Sequence, residues 1–212
     1  MAEFLNIVLT SVRISLSSVT LAALFAVPLG IWVGTSKFRG RGAALMVLNT
    51  LMAMPTVVIG LLLYSLLSKS GPLGGSGILF TPAAMVIGQA ILAFPIIAAL
   101  VAGGVGNLGD TPLIAARLLG AGGMQSTVLL LREARLIVIT SALAGFGRVF
   151  SEIGISMMLG GNIRFYTRNI TTTIALETSK GQFGLGIALG TVLLTVAFLI
   201  NAVVYRFRGE GR

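Results

Sequence analysis

The chain has 212 residues, of which 56% are hydrophobic and only 10% charged, and its formal net charge is +9. Soluble domains carry about a quarter charged residues, so this composition excludes an ordinary globular domain and indicates a membrane domain of roughly five or six spans. The absence of cysteine and histidine excludes disulfides, thiolate metal sites and imidazole acid–base chemistry, and the basic excess reads as membrane orientation, with no nucleic acid as partner.

Taken in chain order, MAEFLNIVLT lacks the basic start of a secretory signal and opens an apolar run too long for a signal core. A retained span is therefore expected over about 4–34, closed by KFRGRG at 37–42. A second is expected over about 43–68, ending in SGPLGGSG at 70–77. The third, about 82–105, opens with Thr81 as N-cap and Pro82 in the first turn. The fourth and fifth cover about 134–160 and 182–206, separated by GNIRFYTRN at 161–169. Each must be helical, because lipid offers the backbone no hydrogen-bond partner. Pro28, Pro55 and Pro95 fall inside the first three spans and predict kinks. Gly30 with Gly34, and Gly186 with Gly190, have the spacing that lets helices approach closely. No internal repeat supports an inverted-repeat carrier.

Five spans place three basic clusters on one face: Lys37, Arg39 and Arg41; Arg117, Arg132 and Arg135; Arg206, Arg208 and Arg212. The positive-inside rule makes that face cytoplasmic, with the N-terminus outside and the C-terminus cytoplasmic. Arg164 and Arg168 fall on the outer side, against the rule.

Between the third and fourth spans the chain is neither a span nor a short loop. Asp110-Thr111-Pro112 is a helix start, LIAARLL supplies about two turns, Gly120-Ala121-Gly122-Gly123 breaks them, and MQSTVLLLREAR resumes the helix. A helix, a sharp turn and a helix form a protruding knob suited to another protein's groove. The segment resembles the coupling loop of ABC importer permeases, a Glu-Ala-Ala, three residues, Gly pattern. Ala115, Ala116 and Gly120 match and Ala121 is the small residue after the glycine, whereas Ile114 replaces the glutamate and no proline follows Pro112. Further on, FSEIGISMMLGGNIRFYTRNITTTIALETSKGQFGLGIAL at 150–189 resembles the permeases of molybdate and tungstate importers, those for tungstate above all.

The resemblance implies an all-α polytopic membrane protein with five transmembrane helices and the type I ABC importer permease fold, forming one permease domain over residues 1–212. It implies a non-catalytic subunit of the cell membrane, working as a homodimer in the lipid bilayer. A cytoplasmic ABC ATPase dimer would seat on the loop at about 110–131, through Ala115, Ala116, Arg117, Gly120, Ala121 and Gly122. An extracytoplasmic solute-binding protein would deliver a tetrahedral oxyanion, tungstate in the first instance. Alternatives are a permease for molybdate, sulfate or another small solute, or an ATP-independent carrier. The chain has no GxxxxGK[ST] phosphate loop, so no cofactor is expected on it and ATP with magnesium belongs to the partner ATPase.

Charges inside spans are costly and mark candidate sites. Arg148 and Glu152 are four residues apart on one helix face, either a neutralising structural pair or a gate in the path. Arg13 either faces the path or snorkels to the surface. Glu152 repels an anion unless paired. Asn162, Thr171 and Thr172, with Thr173, are candidate hydrogen-bond donors to an oxyanion or else caps of local backbone. Arg164 and Arg168 are candidates for contact with the solute or its carrier at the outer face.

Overall fold

The computed structural model describes residues 2–109 and 132–209 continuously, and between them residues 114, 118, 120, 122, 125, 128 and 129. Among the described residues, regular structure is helical throughout: α1 (Ala2–Thr35), α2 (Arg41–Met52), α3 (Thr56–Leu67), α4 (Pro82–Leu108), α5 (Arg135–Phe150), α6 (Gly154–Gly160), α7 (Ile170–Ser179) and α8 (Phe183–Gly209), with a single 3₁₀ turn at Gly74–Ser76. Three of these, α1, α4 and α8, are long and apolar enough to cross a membrane alone. The count becomes five when α2 with α3, and α5 with α6, are each taken as one bent span.

The most extensive contact is between α1 and α4. It is close because Gly30 and Gly34 carry no side chain: a Cβ on either would come within 2.8 Å of an α4 carbonyl, that of Ala98 or Ala102. Around this seam Ala22, Ala26, Ala93, Ile97, Val101 and Val105 form the main core. A second cluster joins α3, α4 and α6 through Ile59, Leu92, Ile155 and Leu159, and a third joins α1, α5, α7 and α8 through Ile7, Phe150, Ile170 and Leu189.

The three prolines behave differently. Helices α1 and α4 run uninterrupted through Pro28 and Pro95. Pro55 instead ends one helix and caps the next, and α2 and α3 meet there at 89°. The fourth span also breaks, at 151–153, by 65° and without a proline. Thr81 caps α4 as its position predicts, its Oγ1 accepting from the Ala84 amide at 3.4 Å with Pro82 in the first turn. Helix α7 lies in a stretch that hydropathy leaves between spans; Asn169 starts it.

The end of α1 near the basic cluster is finished by a side chain from the next helix. Arg41 donates from Nε to the Val33 carbonyl at 3.0 Å and from Nη2 to the Gly34 carbonyl at 3.1 Å. A guanidinium on the last carbonyls of a helix satisfies acceptors that have no partner of their own and complements the negative dipole end.

Candidate functional site

The fourth span breaks where its sequence reads Arg148-Val-Phe-Ser-Glu-Ile-Gly. The Glu152 side chain holds the break together. Its Oε1 accepts from the Gly154 amide at 2.8 Å and the Ile155 amide at 3.3 Å, and its Oε2 accepts from Arg148 Nη1 at 2.8 Å. A carboxylate on the first amides of a helix is favoured by both the open donors and the dipole. The two partners differ sharply in burial: the Arg148 side chain is 40% exposed and that of Glu152 only 4%.

This break adjoins the other one. Gly154 lies against Thr56 and Val57 at the start of α3, both 3.4 Å from where its Cβ would be, and Gly60 faces Ile155 and Met158 one turn further on. The two bent spans therefore meet at their bends.

A buried polar chain ties the break to the rest of the bundle. Gln89 of α4 donates from Nε2 to Ser156 Oγ at 3.0 Å, and its Oε1 lies 3.2 Å from Ser18 Oγ on α1. Ser156 reaches the Glu152 carbonyl at 3.2 Å, and Thr171 Oγ1 of α7 reaches the same carbonyl at 2.8 Å. The Ile170 amide donates to Ser11 Oγ of α1 at 2.8 Å. Among the described residues no buried side-chain nitrogen or oxygen lacks a partner.

The candidate donors near the break are committed to the chain. Asn169 Oδ1 accepts from the Thr172 amide at 2.9 Å while Thr172 Oγ1 accepts from the Asn169 amide at 3.1 Å, a reciprocal capping box that starts α7. Thr173 Oγ1 donates to the Asn169 carbonyl at 2.6 Å, and Thr171 and Thr172 are buried. Asn162 sits at φ 52° in the loop and accepts from Arg168 Nε at 3.3 Å.

Arg164 and Arg168 converge on Glu3 at the start of α1. Arg164 approaches fork to fork, with Nε 2.9 Å from Oε1, and Arg168 Nη1 lies 3.2 Å from the same oxygen. Hydrogen bonding to Glu3 raises the Arg164 pKa above its already high ordinary value. The loop between is rigidly built: Thr167 Oγ1 accepts from the Ile163 amide and donates to the Gly160 carbonyl. It presents Ile163, Phe165 and Tyr166 outward, with the Arg164 guanidinium 5.1 Å from the Phe165 ring centre.

Arg13 is exposed on α1 and makes no ion pair or hydrogen bond among the described residues. It shares the outward side of the helix with Ser17 and Thr20, while Leu5, Leu9 and Leu16 occupy the adjoining strip. Of the coupling-loop residues, Ala115, Ala116, Arg117 and Ala121 lie outside the described residues. Gly120 has φ +77° and, among the described residues, nothing near its missing Cβ; the Gly122 amide donates to Gln125 Oε1 at 3.0 Å. A cavity of about 570 Å³ opens between α4 and α5, lined by Gly103, Gly104, Glu133, Thr140 and Ser141 among others.

Sequence reasoning missed Glu3, Gln89 and Asn169. Gln89 had a signal, an amide alone in an apolar stretch of α4; so had Asn169, three residues before Thr172. Glu3 had none, because its partners lie 161 and 165 residues away.

The fold is that of an ABC importer permease. A structure of the inward-facing MetNI methionine ABC transporter superposes with a TM-score of 0.75, covering 100% of this chain and 98% of that one; its 18% identity speaks for the fold alone. The chain belongs to the family described as binding-protein-dependent transport system inner membrane component, whose model matches residues 26–208. It is 41% identical to the tungstate uptake system permease protein TupB of Peptoclostridium acidaminophilum, over 97% of this chain and 90% of that protein. It is 37% identical to the Campylobacter jejuni protein of the same name, over 81% and 72%. The molybdenum transport system permease protein ModB of Azotobacter vinelandii is more distant, at 27% over 94% of each.

Proposed function

We propose that this ABC importer permease carries tungstate inward across the cell membrane. The observation that carries this reading is the 41% identity, sustained over nearly the whole chain, to a tungstate uptake permease. Two copies form the path. An extracytoplasmic solute-binding protein hands the oxyanion to the end bearing Glu3, Arg164 and Arg168. A cytoplasmic ATPase dimer, where ATP and magnesium are bound, docks on the segment containing Ala115, Ala116, Arg117, Gly120, Ala121 and Gly122. The N-terminus is outside and the C-terminus inside, as the basic clusters require.

The residues suit such a division of labour. A binding protein supplies affinity, so the permease needs only a wall that offsets the cost of desolvating a divalent anion without holding it. Arg13 and Arg148 are cations away from the basic clusters at the span ends, and Asn162, Thr171 and Thr172 keep the wall of the outer half in place through the hydrogen bonds already described. Arg164, exposed despite its pairing with Glu3, offers positive charge to an acidic rim on the binding protein.

The test is uptake into proteoliposomes holding the permease, its ATPase and the binding protein. ATP-dependent accumulation of tungstate, resisting excess sulfate and partly competed by molybdate, is the expected result. Accumulation of another solute would reassign the cargo, and accumulation without ATP would remove the importer reading.

A further inference from the structure

We infer that Arg148 is the contact between the permeating oxyanion and the protein wall, and that Glu152 is a positioning residue that aims it. This rests on the oxyanion-importer reading above.

The first support is how unevenly the ion pair is built. Both Glu152 oxygens are engaged, one by two helix amides and the other by Arg148. A carboxylate so occupied, and 4% exposed, has little left with which to repel an anion. Arg148 spends only Nη1 on the pair. A guanidinium has five N–H donors in a fixed fork, and this one has no other partner among the described residues while its side chain is 40% exposed. A pair that existed only to cancel charge inside a membrane would bury both members. Here one member is sunk and anchored and the other is held out.

The second support is what surrounds the fork. Thr140, Ala144, Gly147 and Arg148 share one side of α5, at helical spacing, with Ser151 just past its end, and none of them is buried. Small side chains on both sides of the guanidinium leave room for a partly hydrated ion. Thr140, two turns from Arg148, also lines the cavity of about 570 Å³ between α4 and α5, so this strip leads from the cavity to the fork. The fork is held by Glu152, whose other oxygen lies beside Gly154 where the two bent spans touch, against Thr56 and Val57, a place whose shape changes whenever either bend does.

The chemistry fits. A planar fork meets two oxygens of a tetrahedral oxyanion at once, which an ammonium cannot do. The pair is neutral overall, so the attraction is local and weak, as it must be where the ion is to leave. Intramembrane charges are kept for such paths or for packing, and the two alternatives separate experimentally.

The wild-type chain has no cysteine, so Arg148→Cys creates a single thiol. In the complete reconstituted importer its uptake should fall at least about tenfold, the loss of one charge-assisted contact. Reaction with an ethylammonium methanethiosulfonate should restore part of it, and a neutral methyl reagent should not. Excess tungstate should slow the labelling. The double variant Arg148→Gln with Glu152→Gln should stay impaired, although it leaves no unpaired charge. Arg148→Lys should assemble with the ATPase as wild type does yet lose preference for tungstate over sulfate. Full uptake by the double variant, equal rescue by both reagents, or unchanged selectivity in Arg148→Lys would each overturn the assignment. A wild-type complex that moves no oxyanion at all would instead remove the reading beneath it.

Discussion

Gly30 of α1 sits against Val101 of α4 so closely that a Cβ on the glycine would be 2.8 Å from the valine Cβ, and equally close to the Ala98 carbonyl. Neither neighbour is the free end of a flexible side chain, so the helices themselves must part to admit one. Gly30→Val is expected to cost about 1–3 kcal/mol or more by overpacking, seen as a lower midpoint in thermal unfolding of the detergent-solubilised protein. Gly42→Ala, at a position with nothing within 4 Å, is the control. Equal losses at both positions would refute the close seam.

Gln89 gives a second test of packing. Leucine in its place keeps the volume but leaves Ser18 and Ser156 without their α4 partner. Interhelical hydrogen bonds in membranes average about 0.6 kcal/mol and reach about 1.7, and Gln89→Leu should lose an amount in that range by the same unfolding measurement. A gain in stability would mean the network serves something other than holding α1, α4 and α6 together.

Gly120 tests coupling. Its φ of +77° favours glycine, and it is exposed, with nothing among the described residues near its missing Cβ. Tryptophan there would reshape the turn without touching the bundle. Gly120→Trp should therefore abolish ATP-dependent uptake and co-purification of the ATPase while the permease's own unfolding midpoint hardly moves. Normal uptake in this variant would show that the segment is only a connection.

Orientation is open to a direct check, again because the chain lacks cysteine. Single cysteines at Glu3 and Arg164 should react with an impermeant maleimide added outside intact cells. Cysteines at Arg39 and Gly120 should react only after permeabilisation. Labelling of Glu3→Cys and Gly120→Cys from the same side would invert or break the topology.

What the sequence revealed and what it hid have physical causes. Long apolar runs marked α1, α4 and α8 because a membrane span is a matter of length and hydropathy. Thr81-Pro82 marked the start of α4 because an N-cap is local. The bends were less legible. Pro55 breaks a span, whereas Pro28 and Pro95 are absorbed by continuous helices, and the difference lies in neighbours rather than in proline itself. At 151–153 the break has no breaker residue, and what holds it is a carboxylate turned onto the next helix's amides. Gly30 and Gly34 share their spacing with Gly186 and Gly190, yet among the described residues only the first pair makes a close helix crossing: none of them approaches Gly190, and Gly186 meets only Thr178 Oγ1, at 3.6 Å. The pairing of Arg148 with Glu152 could be proposed from their separation, but their unequal burial could not. The clasp on Glu3 joins residues 161 and 165 positions apart and leaves no local trace.

Several polar ties between distant elements gather in one half of the bundle. Glu3 to Arg164 and Arg168, Ser11 to Ile170, Ser18 to Gln89 to Ser156, and the Phe80 amide to the Leu159 carbonyl at 2.8 Å all fall in the half that contains the start of α1. Toward the other end α4 and α5 meet through apolar and small side chains, Gly104 against Ile137 and Gly145 against Ile97 and Ala93, beside an open cavity. Directional bonds resist sliding and rotation; smooth apolar contacts permit them at little cost. Of these two kinds of contact, the hydrogen-bonded one at the start of α1 acts as a rivet and the apolar one between α4 and α5 as a greased bearing, so a pull that moves α5 against α4 would slide the bearing long before it loosened the rivet.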